Sequence, residues 1–239
     1  MRKRCLVIGA SGDIGSAAAA AVIGRGYAVG LHYHSNEAKV KELVKDVPPE
    51  NLAGTFQSDL SKEEGILHLL SQVGEEWDAL VFAGGPMYSG LFQDMAVSAL
   101  DTLYHTHVKA LWLISRHLLP YMIRNKSGNI VVVSSIYGTE GASMEVAYSS
   151  VKGAQDSFVK GLAKEVAPSG VRVNAVAPGF INTKMNEHLQ GEERLAIEED
   201  IPMGRAGERE EVAGMIGFLL GTDASYVTGQ VLHVNGGWS

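Results

Sequence analysis

The sequence predicts an α/β fold, a single domain with a doubly wound sheet of about seven parallel strands and helices on both faces. Three observations carry this. Short apolar runs alternate with helical patterns along all 239 residues. Most of those runs lack polar alternation, as strands covered on both faces do. No internal repeat, charge block or Pro/Ser-rich linker divides residues 1–239, and a strict βαβα order implies parallel pairing.

Strands are expected at Cys5–Ile8, Tyr27–Tyr33, Leu52–Gln57, Ala79–Phe82, Asn129–Val133, Val171–Val176 and Val231–Val234. Between them, Ile14–Gly24, Glu37–Lys45, Lys62–Val73, Leu100–Arg124, Glu145–Ala167 and Arg209–Leu220 read as helices. The run Ala17–Ala21 fits a first helix packed closely on the sheet, because small side chains permit that approach.

Composition narrows the class. Hydrophobic residues make up 46% and charged residues 20%, ordinary for a globular enzyme. The 28 Gly against 7 Pro suit tight turns better than a disordered linker. Cys5 is the single cysteine, so no internal disulfide can form and a reducing, cytoplasmic compartment is expected. A net charge of −7 argues against nucleic-acid binding through a basic face. No apolar run reaches the ~18 residues of a membrane span, and Arg2-Lys3-Arg4 leads into too short an apolar stretch for a secretory signal. Neither a nucleic-acid nor a membrane partner is expected, and no metal.

The first strand runs into Gly9-Ala10-Ser11-Gly12-Asp13-Ile14-Gly15 and then a helix. Glycines let the backbone turn sharply beside an anion, and a helix N-terminus offers free N–H groups and its dipole. A strand–helix turn needing glycine only for geometry is the blander reading. The position after strand one and before helix one is nevertheless where a dinucleotide site belongs. The spacing is not G-x-G-x-x-G, so the ordinary Rossmann fingerprint is absent. At the end of the second strand, Leu31-His32-Tyr33-His34-Ser35-Asn36 carries no acid before Glu37. An acid there would hold a ribose 2′-hydroxyl and repel a 2′-phosphate. His34 and Ser35 can donate to a phosphate, which favours NADP, although no Arg or Lys stands at that strand end.

Tyr148 and Lys152 are four apart in a helical stretch and so share a face. Alone, such a pair means little. Ser134 and Ser135, however, close the apolar strand Asn129–Val133 at the carboxyl end, where open α/β sheets place ligands. Ser135 would hydrogen-bond a carbonyl oxygen as charge develops. Tyr148 would deliver the proton, its pKa lowered by the Lys152 ammonium, and a nicotinamide would supply the hydride. A capping Ser, a half-buried Tyr and a solvated Lys are the alternative.

With Gly9–Gly15, Ser135, Tyr148-x3-Lys152 and Ala177-Pro178-Gly179-Phe180-Ile181, the chain resembles the classical short-chain dehydrogenase/reductases, which have Rossmann-like folds. The resemblance covers essentially the whole length, including the ending Gly229–Gly237. Within that family it is similar to 3-oxoacyl-[acyl-carrier-protein] reductases, especially through Val173-Asn174-Ala175-Val176-Ala177-Pro178-Gly179-Phe180. Through Met122–Gly128 and His107 it is also similar to the reductases of a 5-aminopentanone group on a lysine of elongation factor P.

The resemblance implies that Ser135, Tyr148 and Lys152 are the catalytic trio, with Lys152 also on the nicotinamide ribose. It implies a pyrophosphate turn at Gly9, Ser11, Gly12, Ile14 and Gly15, and adenine contacts from Asp59 and Leu60. It places Ala83, Gly84 and Gly85 on a wall of the cofactor site, and Pro178, Gly179, Ile181 and Thr183 about the carboxamide. It makes Lys184–Ile201 a substrate lid. NADPH is the expected cofactor and a small, carrier-borne or protein-borne ketone the expected substrate. A homotetramer or homodimer built on the helices Leu100–Arg124 and Glu145–Ala167 follows, through Leu111, Trp112, Ile114, Phe158 and Leu162.

Four departures from the family pattern stand out. Asp13 replaces a glycine of the turn, where a carboxylate suits the start of a helix. Phe82-Ala83-Gly84-Gly85 replaces Asn-Asn-Ala-Gly. His107 replaces the asparagine that holds a proton-relay water; an imidazole can hold a water too, so His107 counts with Ser135, Tyr148 and Lys152 as a candidate catalytic residue, against the blander reading of a structural histidine. Of two basic residues that dock a carrier protein, one position holds Lys126 and the other Ser169. The leading reading is an NADPH-dependent reductase of a 3-oxoacyl thioester, with the elongation factor P ketone nearly level. A non-catalytic NADP-binding sensor is the alternative from another class; Phe82-Ala83 and His107 favour it. A methyltransferase would leave Tyr148, Lys152 and Pro178-Gly179 without a task.

Overall fold

The computed structural model describes residues 2–187 and 189–238. All seven expected strands form: β1 Arg4–Ile8, β2 Ala28–Tyr33, β3 Leu52–Gln57, β4 Ala79–Phe82, β5 Gly128–Val133, β6 Val171–Pro178 and β7 Val231–Val234. They build one parallel sheet in the order β3-β2-β1-β4-β5-β6-β7. Successive strands are added on one side of β1 up to β3 and on the other from β4, so a crevice opens beyond the carboxyl ends of β1 and β4.

Alternating side chains divide the core. Cys5 and Val7 of β1 pack with α1 (Asp13–Gly24) and α9 (Arg209–Leu220), whereas Leu6 and Ile8 pack with α3 (Glu63–Val73), α5 (Ala110–Arg124) and α7 (Val146–Val166). The short α2 (Glu37–Lys45) covers the first face through Val40. The alanines of α1 serve a helix neighbour as well as the sheet. Ala18 and Ala19 are fully buried, and a Cβ on Gly217 of α9 would lie 3.6 Å from the Ala21 Cβ.

Three local features differ from the expected pattern. Residues 97–124 form α4 (Val97–Leu103), a π-helical turn Tyr104–Lys109 and α5 in succession, rather than one α-helix from Leu100. Lys184–Ile201, expected as a loop, contains a short 3₁₀ turn and the helix α8 (Gly191–Asp200). A one-turn α6 (Tyr137–Glu140) separates Ser135 from α7. Of the apolar residues expected at a partner surface, Leu111 and Ile114 are fully buried toward the sheet, while Trp112 is 43% exposed. No helix among the described residues is long and apolar enough to cross a membrane.

Candidate active site

The turn after β1 is built from close backbone approaches. A Cβ on Gly9 (φ +80°) would meet Gly84 Cα at 2.6 Å, and one on Gly15 would meet the Gly9 carbonyl oxygen at 2.1 Å. The Gly9 N–H donates to His32 Nδ1 at 3.3 Å, so the His32 proton sits on Nε2, facing Ser58. Burial pushes His32 down to about 4, so the ring stays neutral and keeps this acceptor. In sequence His32 carries no signal, because a lone histidine in an apolar strand looks like core.

The turn opens on a cleft of about 720 Å³ at the sheet's reversal point. Gly9, Ser11, Gly12, Asp13, Ile14 and Gly15 line it at one end. His34, Asp59, Leu60 and Ala83–Gly85 form further walls, and Thr183 closes it. Ser35, Pro178 and Ile181 are not on its wall; Gly179 lines a neighbouring pocket. Lys39, unremarked in the sequence, does line the cleft from the first turn of α2, where Asn36 caps the helix by accepting from its N–H. The glycine cradle, the open N-terminus of α1 and the cleft's size fit a dinucleotide.

Two departures now have physical accounts. Asp13 does not stand loose in the cleft. Its Oδ2 accepts from the Lys184 N–H at 2.8 Å, and Oδ1 lies 3.7 Å from Arg209. Phe82 is fully buried in the core on the α3–α5–α7 side, so it leaves the cleft wall to Ala83.

A pocket of about 290 Å³ adjoins the cleft through Met185, which lines both. Ser135 and Tyr148 face into it beside Tyr137, Glu145 and Phe180. Ser135 Oγ accepts from the Tyr137 N–H at 3.2 Å, leaving its own proton to be donated outward. Burial, with the charges of Glu145 and Tyr137, holds the Tyr148 phenol above its ordinary range. The expected lowering by Lys152 is therefore reversed, and the chain by itself keeps Tyr148 in the form that gives a proton away.

Lys152 is 4% exposed, and burial pushes it down to about 7, opposed by the charge of Asp156. Its Nζ donates to the Val133 carbonyl at 2.9 Å and to Gln155 Oε1 at 3.2 Å, and lies 5.5 Å from the Tyr148 ring centre.

His107 sits in the π-helical turn, its ring edge-on to Tyr148 at 5.6 Å. Its Nε2–H donates to the Pro86 carbonyl at 2.8 Å, and burial next to Lys152 pushes the ring down to about 3. Nδ1 has no hydrogen-bond partner among the described residues. The main-chain carbonyl of His107 accepts from Gln155 Nε2 at 2.8 Å. Neither Gln155 nor the π turn was foreseen, because both look regular in sequence.

A model of the enoyl-(acyl carrier protein) reductase family matches residues 9–239. The chain is a short-chain dehydrogenase/reductase. This oxidoreductase is 46% identical to "Uncharacterized oxidoreductase YmfI" of Bacillus subtilis, over 100% of this chain and 99% of that one. It is 34% identical to the 3-oxoacyl-[acyl-carrier-protein] reductase FabG of Salmonella typhimurium, over 98% of this chain and 96% of that one. Among solved structures it is similar to acetoin dehydrogenase YohF of Salmonella typhimurium, with TM-score 0.87 and 29% identity over 100% of this chain and 97% of that one. An NAD(P) cofactor follows for this short-chain dehydrogenase/reductase.

Proposed function

We propose that the protein uses NADPH to reduce a ketone carried on a thioester or on a protein. The observation that carries this reading is Ser135 and Tyr148 facing one small pocket beside a glycine-lined cleft, with Lys152 behind the phenol. The residues of that cleft would hold NADPH, which would supply hydride for the carbonyl carbon. Ser135 donates to the carbonyl oxygen as negative charge gathers there. Tyr148 gives the same oxygen its proton, so that ketone, hydride and proton together make the alcohol and Tyr148 is left to be reprotonated. Lys152 would hold the nicotinamide ribose, and it sets the electrostatics beside the phenol.

The dinucleotide's pyrophosphate is assigned to the turn Gly9–Gly15, and its adenine to Asp59 and Leu60. Pro178, Gly179, Ile181 and Thr183 are assigned to the nicotinamide end. Lys39, with His34, supports NADP, since a cation on the cleft wall suits a 2′-phosphate; Ser35, off that wall, adds no support.

Relatives such as FabG, 34% identical, support a 3-oxoacyl thioester as substrate. A separate observation favours the second substrate, a 5-aminopentanone group on a lysine of elongation factor P. Glu145 places a carboxylate in the wall of the reaction pocket, which suits an ammonium-bearing ketone and gives nothing to a neutral acyl chain. Lys126 and Ser169 also lie before β5 and β6, at the end of the sheet opposite Ser135. Turnover of acetoacetyl thioester and of the protein-borne ketone, compared in wild type and Glu145→Gln, tests this. Loss confined to the amino ketone supports the second substrate, and equal loss on both counts against it. A homodimer or homotetramer through α5 and α7 is supported by exposed Tyr104 and Trp112, and sedimentation as a monomer at micromolar concentration would reject it.

A further inference from the structure

Gln155 has no task in the chemistry above, yet it touches two parts of the site. It is 1% exposed on α7, three residues beyond Lys152. Its Oε1 accepts from Lys152 Nζ, and its Nε2 donates to the His107 carbonyl. A carbonyl oxygen only accepts, so the amide NH₂ must face His107 and the amide oxygen must face the amine. The carboxamide therefore has one orientation.

The two ends of this bridge differ in kind. His107 belongs to the π-helical turn, where the backbone leaves the regular i→i+4 ladder. Lys152 also reaches back to the Val133 carbonyl at the end of β5. Two fixed acceptors, one from the sheet and one from Gln155, thus aim an otherwise flexible amine. Further along α7 the buried positions turn apolar, at Val159, Ala163 and Val166. An apolar residue at 155 would strand both a buried N–H of Lys152 and the His107 carbonyl.

We propose, building on the ketone-reductase reading, that Gln155 is a positioning residue whose carboxamide spans Lys152 and the π turn and holds the lysine amine under Tyr148. The bridge is a clamp and not a proton path. Its N–H ends on a carbonyl, and passing a proton through would require an imidic acid. The main-chain carbonyl at position 107, where the family has its relay asparagine, accepts from Gln155 here.

The titratable groups facing Lys152 are Tyr148 and Asp156 from α7 and His107 from the π turn; β5 contributes the Val133 carbonyl. Against that background the acceptor at 155 favours the charged amine. The test uses the full chain labelled at the lysine ε-carbon, with the Lys152 signal assigned by its loss in Lys152→Met. NMR titration is run on wild type, Gln155→Leu and Gln155→Glu, with kcat and KM measured on a ketone that wild type reduces.

The Leu variant should lower the Lys152 midpoint by roughly one pH unit. Its kcat should fall about tenfold or more while KM changes less than about threefold. The Glu variant should raise the midpoint and recover part of kcat. An unchanged midpoint and kcat in the Leu variant, or shifts of the same sign in both, would overturn the proposal. If the Leu variant does not fold, the Glu titration decides alone, since no upward shift there also overturns it. Should wild type reduce no ketone, the reductase reading fails, and the titration still judges the clamp.

Discussion

Gly85 lies against the ring of His107: a Cβ at Gly85 would stand 2.1 Å from His107 Cε1, at a backbone φ of +137°. Gly85 keeps the last glycine of the family's Asn-Asn-Ala-Gly, and His107, which does depart from the pattern, packs directly against it. The imidazole occupies the space that an alanine methyl would need.

Gly85→Ala should accordingly cost about 2 kcal/mol or more, from overpacking and a left-handed backbone together. Urea unfolding of the two proteins measures it. Because His107 also carries the carbonyl that Gln155 holds, kcat should fall with stability.

Asp13 predicts an effect of opposite sign on cofactor affinity. Asp13→Asn keeps an oxygen for the Lys184 N–H and removes the negative charge beside the expected pyrophosphate. NADPH should bind roughly threefold to tenfold more tightly, by the removal of one screened repulsion. Titration of nucleotide fluorescence reads this directly, and weaker binding would show that the carboxylate assists the turn.

Lys39→Ala should lower the preference for NADPH over NADH by about tenfold in kcat/KM, with NADH turnover nearly constant. An equal loss with both nucleotides would place Lys39 in the fold of α2 and away from the phosphate.

Acid stability follows from the two buried histidines. His32 is held down to about 4 and His107 to about 3, while both take up a proton near 6.5 in the unfolded chain. Below pH 6.5 the unfolded state binds protons that the folded state refuses. Each ring should therefore withdraw about 1.4 kcal/mol of stability per pH unit between pH 6.5 and 5. Their contribution is flat above pH 6.5. Comparison of urea midpoints at the two ends of that window, in wild type and His107→Asn, should show a shallower loss in the variant.

How far the sequence reached depended on what kind of signal each feature left. The seven strands were legible because apolar runs such as Val171–Val176 bounded by turns have few other uses in an α/β chain. The glycine turn was legible because Gly9 and Gly15 sit where backbone must approach backbone. The π turn was hidden, since one extra residue between Leu103 and Ala110 leaves the apolar periodicity nearly intact. The helix α8 was hidden because it buries no residue and so carries no amphipathic stripe. Lys39 escaped because a side chain reaching back from a helix is not visible at the strand end that precedes it. The Tyr148 proton affinity was misjudged because proximity to a lysine was legible and burial was not.

The most direct test of the account is NADPH oxidation by wild type and Tyr148→Phe, with acetoacetyl thioester and with a 5-aminopentanone group on elongation factor P. The account predicts turnover of at least one of these ketones by wild type and a loss of about a hundredfold or more in the variant, with NADPH binding nearly unchanged. Tyr148→Phe turning over at the wild-type rate, or NADPH binding with no reduction of either ketone, would contradict it.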